Sequence, residues 1–318
     1  MSPAPAPPSG PEIVPTTELH PLPDGELRLL GAVRQVTGAM TRLELGGRRL
    51  LVDCGIAQGR ERMVFPEAAR DVDAVVLTHG HLDHIGSVPT LLEHGFDRPL
   101  YATQATLQIA RLSLEDSLGM ERVSDREMAA FLRRFDALAR PLPYERRSEV
   151  LPGVALTFHD AGHILGSASA EIESAQSRVI LSGDLGRRDS PLLCDPNTRW
   201  AAGKPVDVVV MESTYGSREH GHSHADIERD LEAIVRDAIV RKAKVLVPAF
   251  AIGRTQTLLY FLNHLVENHR IPEVPVAIDT PMGLAVTETY AKFRRLFDKE
   301  SLDQLARGDD PLDFESLF

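Results

Sequence analysis

Short apolar runs separated by glycine turns dominate the first part of the chain from Glu26 onward. The segments 26–36, 40–47 and 48–55 alternate or cluster apolar residues between glycines, which predicts β-strands joined by hairpins. The run DAVVLTH at 73–79 is typical of a strand that is buried on both faces. Residues 104–140 carry Leu, Ala, Glu and Arg at helical spacing before two prolines, which predicts a helix.

The later part of the chain repeats strand and helix patterns in alternation. Strands are predicted at 154–160, 169–174, 178–184, 206–212, 244–250 and 274–280, and helices at 226–242, 254–268 and 284–297. After Ser213 the order is consistently helix, strand, helix, which is typical of a parallel sheet covered by helices. We therefore predict one domain over 25–213 and a second domain over 214–318.

The N-terminal segment 1–24 differs from both parts because it holds eight of the 22 prolines and has little apolar surface to bury. It is predicted to be a disordered leader. A polyproline ligand for a partner domain is the alternative.

The composition is that of a soluble globular protein: 318 residues, of which 43% are hydrophobic and 25% charged. There is no uninterrupted apolar run of about 18 residues, as a membrane helix needs, and no basic start followed by an apolar stretch, as in a secretory signal. Two cysteines, Cys54 and Cys194, argue against a disulfide framework. We therefore expect a cytoplasmic protein with no membrane partner.

The net charge of −11 lacks the bulk basic footprint of a duplex-binding protein. A metal site and a local basic groove can still hold phosphate on an acidic protein, so a nuclease is not excluded.

The strongest chemical signal is the run His-Gly-His-Leu-Asp-His at 79–84, directly after the predicted buried strand. Clustered polar groups cost free energy when buried unless they share a partner, and imidazole with carboxylate suits zinc. The spacing divides into the pairs His79/His81 and Asp83/His84, which could face two neighbouring ions. A surface histidine patch is the alternative interpretation.

Three further polar residues stand at the ends of predicted strands beside glycine, where α/β scaffolds place functional groups. Asp184 has two oxygens that could bridge two ions. Asp53 suits a supporting role, in which it accepts the free N–H of a ligand histidine and fixes its tautomer. His163 follows the strand predicted at 154–160. In isolation, each residue is also compatible with a turn aspartate or a satisfied core histidine.

Together, Asp53, HGHLDH, Gly-His163 and Gly-Asp184 resemble the metallo-β-lactamase fold hydrolases. Two segments narrow the resemblance: MESTYG at 211–216 is similar to the acidic motif that opens the β-CASP domain, and PAFAIGRTQ at 248–256 is similar to its strand-to-helix signature. The form ESTYG is similar to the branch that holds the endonuclease subunit of eukaryotic pre-mRNA 3′-end cleavage and its prokaryotic relatives. The implied fold is α/β, an αββα sandwich with an inserted, incomplete β-CASP domain.

The resemblance implies a zinc-dependent ribonuclease that hydrolyses RNA phosphodiester bonds, endonucleolytically or from the 5′ end, by a metal-bridging hydroxide. Its partner would be RNA, expected to be single-stranded, and a homodimer is compatible with the family. The roles carried over are His79, His81 and His163 at a first Zn²⁺, Asp83 and His84 at a second, Asp184 between the two ions, and Asp53 behind a ligand histidine. Glu212 is expected to orient a proton donor for the leaving oxygen, so that the catalytic set is Asp83, Asp184 and Glu212.

Arg254 is the candidate for a substrate contact, because an arginine at a helix start is a natural anion site. Its alternative is an ion pair that docks two domains. Other histidines are expected to have no catalytic role. His159 is expected to be structural, and His264 and His269 to be solvated or to cap a helix. An exposed polar loop is expected to hold His220, His222 and His224.

The sequence departs from the family pattern at its end, 308–318. The family returns to its first domain after the insertion and there supplies a general-acid histidine and the last ligand of the second zinc. We therefore expect a C-terminally truncated copy with an under-coordinated second ion; a short form completed by a dimer partner is the alternative. Two other functions stay open: a different metallo-β-lactamase-fold hydrolase acting on a thioester, lactone or β-lactam, and a non-catalytic scaffold.

Overall fold

The computed structural model describes residues 12–13, 18–57, 62–200, 202–217, 223–308 and 310–312. Its strands are β1 Glu12–Ile13, β2 Glu18–Leu22, β3 Gly25–Gly31, β4 Met40–Leu45, β5 Arg48–Val52, β6 Arg62–Met63, β7 Ala74–Val76, β8 Leu100–Ala102, β9 Ala139–Pro141, β10 Ser148–Leu151, β11 Val154–Asp160, β12 Ala168–Glu173, β13 Arg178–Leu181 and β14 Val208–Val210. Its α-helices are α1 Leu82–Ile85, α2 Val88–Glu93, α3 Gln104–Met120, α4 Asp125–Leu138, α5 His224–Arg241, α6 Arg254–Glu267, α7 Pro281–Lys292 and α8 Lys299–Ala306, with short 3-10 helices at Glu67–Ala69 and Arg294–Leu296.

The chain forms two compact units. The first comprises 1–159, 167–184 and 199–211, and the second comprises 160–166, 185–198 and 212–318. The two predicted domains with a border after 213 stay a prediction, because both units are built from several separate stretches of chain.

The first unit contains a seven-stranded sheet in the order β2-β3-β4-β5-β7-β8-β9 and a five-stranded sheet in the order β10-β11-β12-β13-β14. Neighbours from β2 to β5 are antiparallel, and β5, β7, β8 and β9 are parallel. The strand β14 lies parallel to β13. Strand β7 is buried along its whole length, as the apolar run predicts.

One hydrophobic layer lies between the two sheets, and a second lies between one of the sheets and the helices that cover it. Between the sheets, Leu43 and Val76 of the first meet Leu156 and Val179 of the second in one buried cluster. The opposite face of the seven-stranded sheet packs against α1 to α4 through a second cluster that includes Leu114. Helix, sheet and sheet therefore form successive layers, and the predicted α/β class is confirmed.

Three sequence predictions need correction in the described residues. The leader is not disordered throughout, because Glu18–Leu22 forms an edge strand paired with β3; an edge position tolerates its proline. Residues 1–11 and 14–17 of the leader lie outside the described residues. The helix predicted over 104–140 is two helices, since Arg122 takes a left-handed φ of 60° and Ser124 caps α4.

The third correction concerns the second unit, where 244–250 and 274–280 do not form regular strands. Residues 244–250 are exposed throughout, so their β-branched composition is not matched by a pairing partner. In this unit α5 and α6 pack on each other through a buried cluster of Val235, Leu262, Leu265 and Ile271. In the described part of the chain no helix is both long and apolar enough to cross a membrane.

Candidate metal centre

The loop that follows β7 carries the HGHLDH run into the short helix α1. His79 is fully buried, and His81 stands at the N-cap of α1 in an extended conformation. Gly80 between them is required by packing, because a Cβ there would lie 2.6 Å from the Ile109 side chain and 3.1 Å from the Ala110 nitrogen. The backbone between the two histidines is therefore packed closely on α3.

The three side chains of His79, His81 and Asp184 offer ligand atoms that lie within 4.8 Å of one another. The Nε2 atom of His79 is 3.2 Å from Nδ1 of His81 and 3.7 Å from Oδ2 of Asp184. Asp184 reaches this point from the turn after β13. His163, the other ligand predicted for the first ion, lies in the loop 160–166 between β11 and β12, in the second unit.

Asp53 supports the centre from behind with a carboxylate that is almost completely buried. Its oxygens accept the backbone N–H of Thr78 at 2.8 Å and the Thr78 hydroxyl at 2.8 and 3.0 Å. Oδ2 of Asp53 also lies 2.7 Å from Nδ1 of His84. Asp53 has a left-handed φ of 60°, a conformation that aspartate tolerates better than most residues.

Thr78 is the supporting residue that sequence reasoning missed. Besides bonding Asp53, its hydroxyl lies 3.2 Å from Nδ1 of His79. It therefore links the aspartate to the first histidine of the run. Its position directly before HGHLDH is the one available signal, and a lone threonine at a strand end has no pattern that distinguishes it.

His84 is wedged between two carboxylates. Its Nε2 atom lies 3.1 Å from Oδ1 of Asp184, opposite the contact of Nδ1 with Asp53. Burial disfavours the imidazolium, but the carboxylates of Asp53 and Asp184 outweigh it and raise the pKa of His84 to about 10. Each oxygen of Asp184 thus faces a different histidine, since Oδ2 is the one turned to His79.

Asp83 is a predicted ligand that stands outside the donor group. Burial, with the nearby charge of Asp184, raises the pKa of the Asp83 carboxyl above its usual value, although His84 opposes this. Its backbone carbonyl accepts the N–H of Ala39 at 2.8 Å. Gly55 allows this close packing, because a Cβ there would lie 1.7 Å from the same oxygen.

Glu212 and Arg254 belong to the second unit. Glu212 comes two residues after β14, and its Oε2 accepts the N–H of Thr214 at 2.8 Å. Arg254 is the first residue of α6 and is exposed, with its guanidinium 5.4 Å from the centre of the Phe250 ring.

The other histidines have local partners. His159 is buried, with Nε2 2.7 Å from Glu171 and Nδ1 2.9 Å from Glu145. His264 pairs with Glu228 at 3.0 Å. His269 lies two residues after α6, with a left-handed φ of 56°, and its N–H donates to the Val266 carbonyl at 2.9 Å. The exposed loop expected for the 220–224 histidines is wrong for His224, which begins α5; His220 and His222 lie outside the described residues.

The chemistry of the donor set fits a metal ion. Two imidazole nitrogens 3.2 Å apart, one of them 3.7 Å from a carboxylate oxygen, are atoms whose lone pairs a single cation can share. Imidazole with carboxylate is a ligand set of zinc. The described residues thus contain a histidine and aspartate cluster that could bind a metal.

A family model described as the metallo-beta-lactamase superfamily matches residues 34–249. The chain belongs to this superfamily. A second model, described as the Beta-Casp domain, matches residues 255–318, so this superfamily member is of the β-CASP type and the predicted family is confirmed. The superfamily is metal-dependent, in agreement with the donor cluster.

Curated relatives of this superfamily member include nucleases. It is 37% identical over 287 residues to ribonuclease TTHA0252 of Thermus thermophilus, which covers 88% of the chain and 64% of that relative. It is 33% identical over 267 residues to transcription termination factor FttA of Methanothermobacter thermautotrophicus, and this match covers 80% of the chain and 42% of that relative. An RNase J-like protein of Methanocaldococcus jannaschii is 29% identical over 271 residues, covering 84% and 61%. The chain therefore spans less than two thirds of the length of each of these relatives.

Proposed function

We propose that this protein is a zinc-dependent ribonuclease that hydrolyses phosphodiester bonds in single-stranded RNA. The observation that carries the proposal is the convergence of His79, His81 and Asp184 within 4.8 Å. It is supported by similarity to a protein named as a ribonuclease. We propose the cytoplasm as its compartment.

The residues proposed to hold a first ion are His79, His81 and His163. Asp184 would serve both this ion and a second, because its two oxygens face different histidines. His84 and Asp83 would hold the second ion. When bound, zinc would acidify a water molecule to near-neutral pKa and stabilise negative charge on the phosphate under attack.

Protein groups around the ligands have distinct tasks in this proposal. Asp53 accepts a hydrogen bond from Nδ1 of His84. This bond would leave the lone pair of Nε2 free to coordinate a metal, and so fixes the tautomer that a ligand histidine needs. Thr78 holds Asp53 in that orientation with two hydrogen bonds. Glu212 is proposed to orient the proton donor for the leaving oxygen.

Cleavage of a 5′-labelled single-stranded RNA by the purified chain with Zn²⁺ tests the proposal, beside Asp184→Ala and the control Asp73→Ala. Asp73 lies directly before β7, where it accepts the Arg49 N–H at 2.9 Å, and it has no part in the donor group. We expect cleavage by the unmodified chain and Asp73→Ala, and a loss of at least 100-fold in Asp184→Ala.

Zinc content, measured by mass spectrometry after dialysis, separates the alternatives. A chain that binds zinc but hydrolyses a thioester or lactone and leaves RNA intact would refute the RNA substrate. A folded chain that retains no zinc would refute the metal centre and favour a scaffold.

A further inference from the structure

The loop before α6 presents an aromatic side chain to solvent. Phe250 is 70% exposed, whereas the other described phenylalanines of the second unit are nearly buried, at 3% for Phe261, 5% for Phe293 and 1% for Phe297. A large exposed apolar ring has an unfavourable contact with water, which the three other described phenylalanines of the unit avoid by packing. Its position therefore calls for a ligand or for a reason in local structure.

Local structure holds the loop that carries this ring in one conformation. The Thr255 hydroxyl donates to the Phe250 carbonyl at 2.8 Å. Gln256, fully buried, accepts the Gly253 N–H at 2.8 Å and donates to the Ala251 carbonyl at 3.1 Å. The same amide donates to the Thr287 hydroxyl at 2.9 Å, which ties the loop to α7. The backbone that carries the ring is therefore held in place by hydrogen bonds to residues on its C-terminal side.

The guanidinium of Arg254 lies over one side of the ring, 5.4 Å from its centre. Phe250 is 70% exposed with Arg254 in this position, so the cation–π pair leaves most of the aromatic side chain open to solvent. A flat apolar surface backed by a cation is the combination that single-stranded nucleic acids use: bases stack on the ring, and the cation compensates the phosphate charge.

We infer that Phe250, backed by Arg254, is a stacking site for a base of single-stranded RNA. The inference rests on the proposed function and deepens it by naming a residue that contacts the base. It assigns Arg254 to the support of the ring as well as to phosphate. Stacking on a π-face is tolerant of sequence, so this site would bind every base.

Fluorescence anisotropy with a 5′-labelled 12-nucleotide oligoadenylate tests the inference. Every protein in the series carries Asp184→Ala, so that the RNA is not cut. Phe250→Ala is expected to weaken binding about 10-fold or more, whereas Phe250→Trp is expected to retain it. Leu246→Ala is the matched control, because this neighbour is even more exposed, at 92%, and has no cation over it.

A second probe distinguishes the base from the backbone. An abasic oligonucleotide of the same length keeps the phosphates, and we expect it to bind equally to the chains with and without Phe250→Ala. Equal oligoadenylate affinity in these two chains would overturn the inference, as would an equal loss for the abasic strand or an absence of oligoadenylate binding. A dimer that dissociates in Phe250→Ala without a change in RNA affinity would instead assign the ring to a protein contact.

RNA cleavage by the unmodified chain decides the proposed function separately. If the unmodified chain cleaves RNA and Phe250→Ala leaves the RNA affinity unchanged, only the stacking site is refuted. Binding that depends on Phe250, with no cleavage under any metal condition, refutes only the ribonuclease activity.

Discussion

Replacing Thr78 with valine tests whether the centre depends on the residues behind the ligands. Valine matches threonine in shape but removes the hydroxyl, which lies 2.8 Å from Oδ2 and 3.0 Å from Oδ1 of Asp53. Thr78 is 1% exposed, so water cannot substitute for the lost donor. A hydrogen bond to a charged group contributes about 1.5–3 kcal/mol, and we expect the free energy of unfolding to fall by about 2 kcal/mol.

The control is Ser87→Ala, in the same unit. Its hydroxyl is also buried and donates at 2.7 Å, but the acceptor is the neutral carbonyl of Gly55. We expect a loss of only about 1 kcal/mol there. Thr78→Ser retains the hydroxyl and should lose less than Thr78→Val.

Urea unfolding followed by tryptophan fluorescence measures this difference, because Trp200 is the single tryptophan and lies in the first unit, 4.4 Å from the ring of His159. Zinc competition with a chromophoric chelator gives a second readout. Loosening the carboxylate behind a ligand histidine weakens metal binding by about 10-fold or more. A Thr78→Val chain with the stability of Ser87→Ala and unchanged zinc affinity would refute the supporting role.

Two further predictions concern backbone packing and pH. Gly55→Ala should prevent folding of the metal loop, because its Cβ would lie 1.7 Å from a backbone oxygen. Gly119→Ala meets no such neighbour within 4 Å and should raise the free energy of unfolding by about 0.5–1 kcal/mol. Thermal unfolding of both variants measures this difference, and equal midpoints would contradict it. Burial raises the pKa of Asp24, but two serine hydroxyls outweigh it and the pKa is lowered. The stability that this carboxylate contributes is therefore present above about pH 4 and lost as pH falls through the lower folded value. Asp24→Asn should destabilise the chain equally at pH 7 and pH 5 in urea titrations and progressively less below pH 4, and a gap that widens in acid would contradict this.

The layered α/β unit was predictable from short apolar runs between glycine turns and from a run typical of a strand buried on both faces, which β7 is. Val75 and Val76 of β7, for example, pack into different clusters on opposite sides of the sheet. The break in the long helix was also visible as Ser-Asp-Arg-Glu at 124–127, since Ser124 and Glu127 form a capping box. Helical periodicity continued across this signal and concealed it.

Other features lay beyond sequence reasoning for physical reasons. The segment 244–250 has strong β composition, but strand formation requires a neighbour in register, and composition does not specify one. The bond from Thr78 to Asp53 joins residues 25 positions apart, so that only the folded β5–β7 pairing brings them together. The exposed ring of Phe250 could not be distinguished from a buried one within an apolar run.

The interleaving of the two units along the chain has a consequence for biosynthesis. The first unit includes residues as far as 211, and the second includes 160–166 and 185–198 as well as the later residues. A nascent chain that has exposed HGHLDH but not Asp184 holds imidazoles without their carboxylate, so metal capture should follow the pairing of β13 with β12. No single cleavage of the backbone can release either unit as one continuous fragment. Exchange of one unit between related proteins would accordingly require several crossovers, one at each border between stretches of the two units.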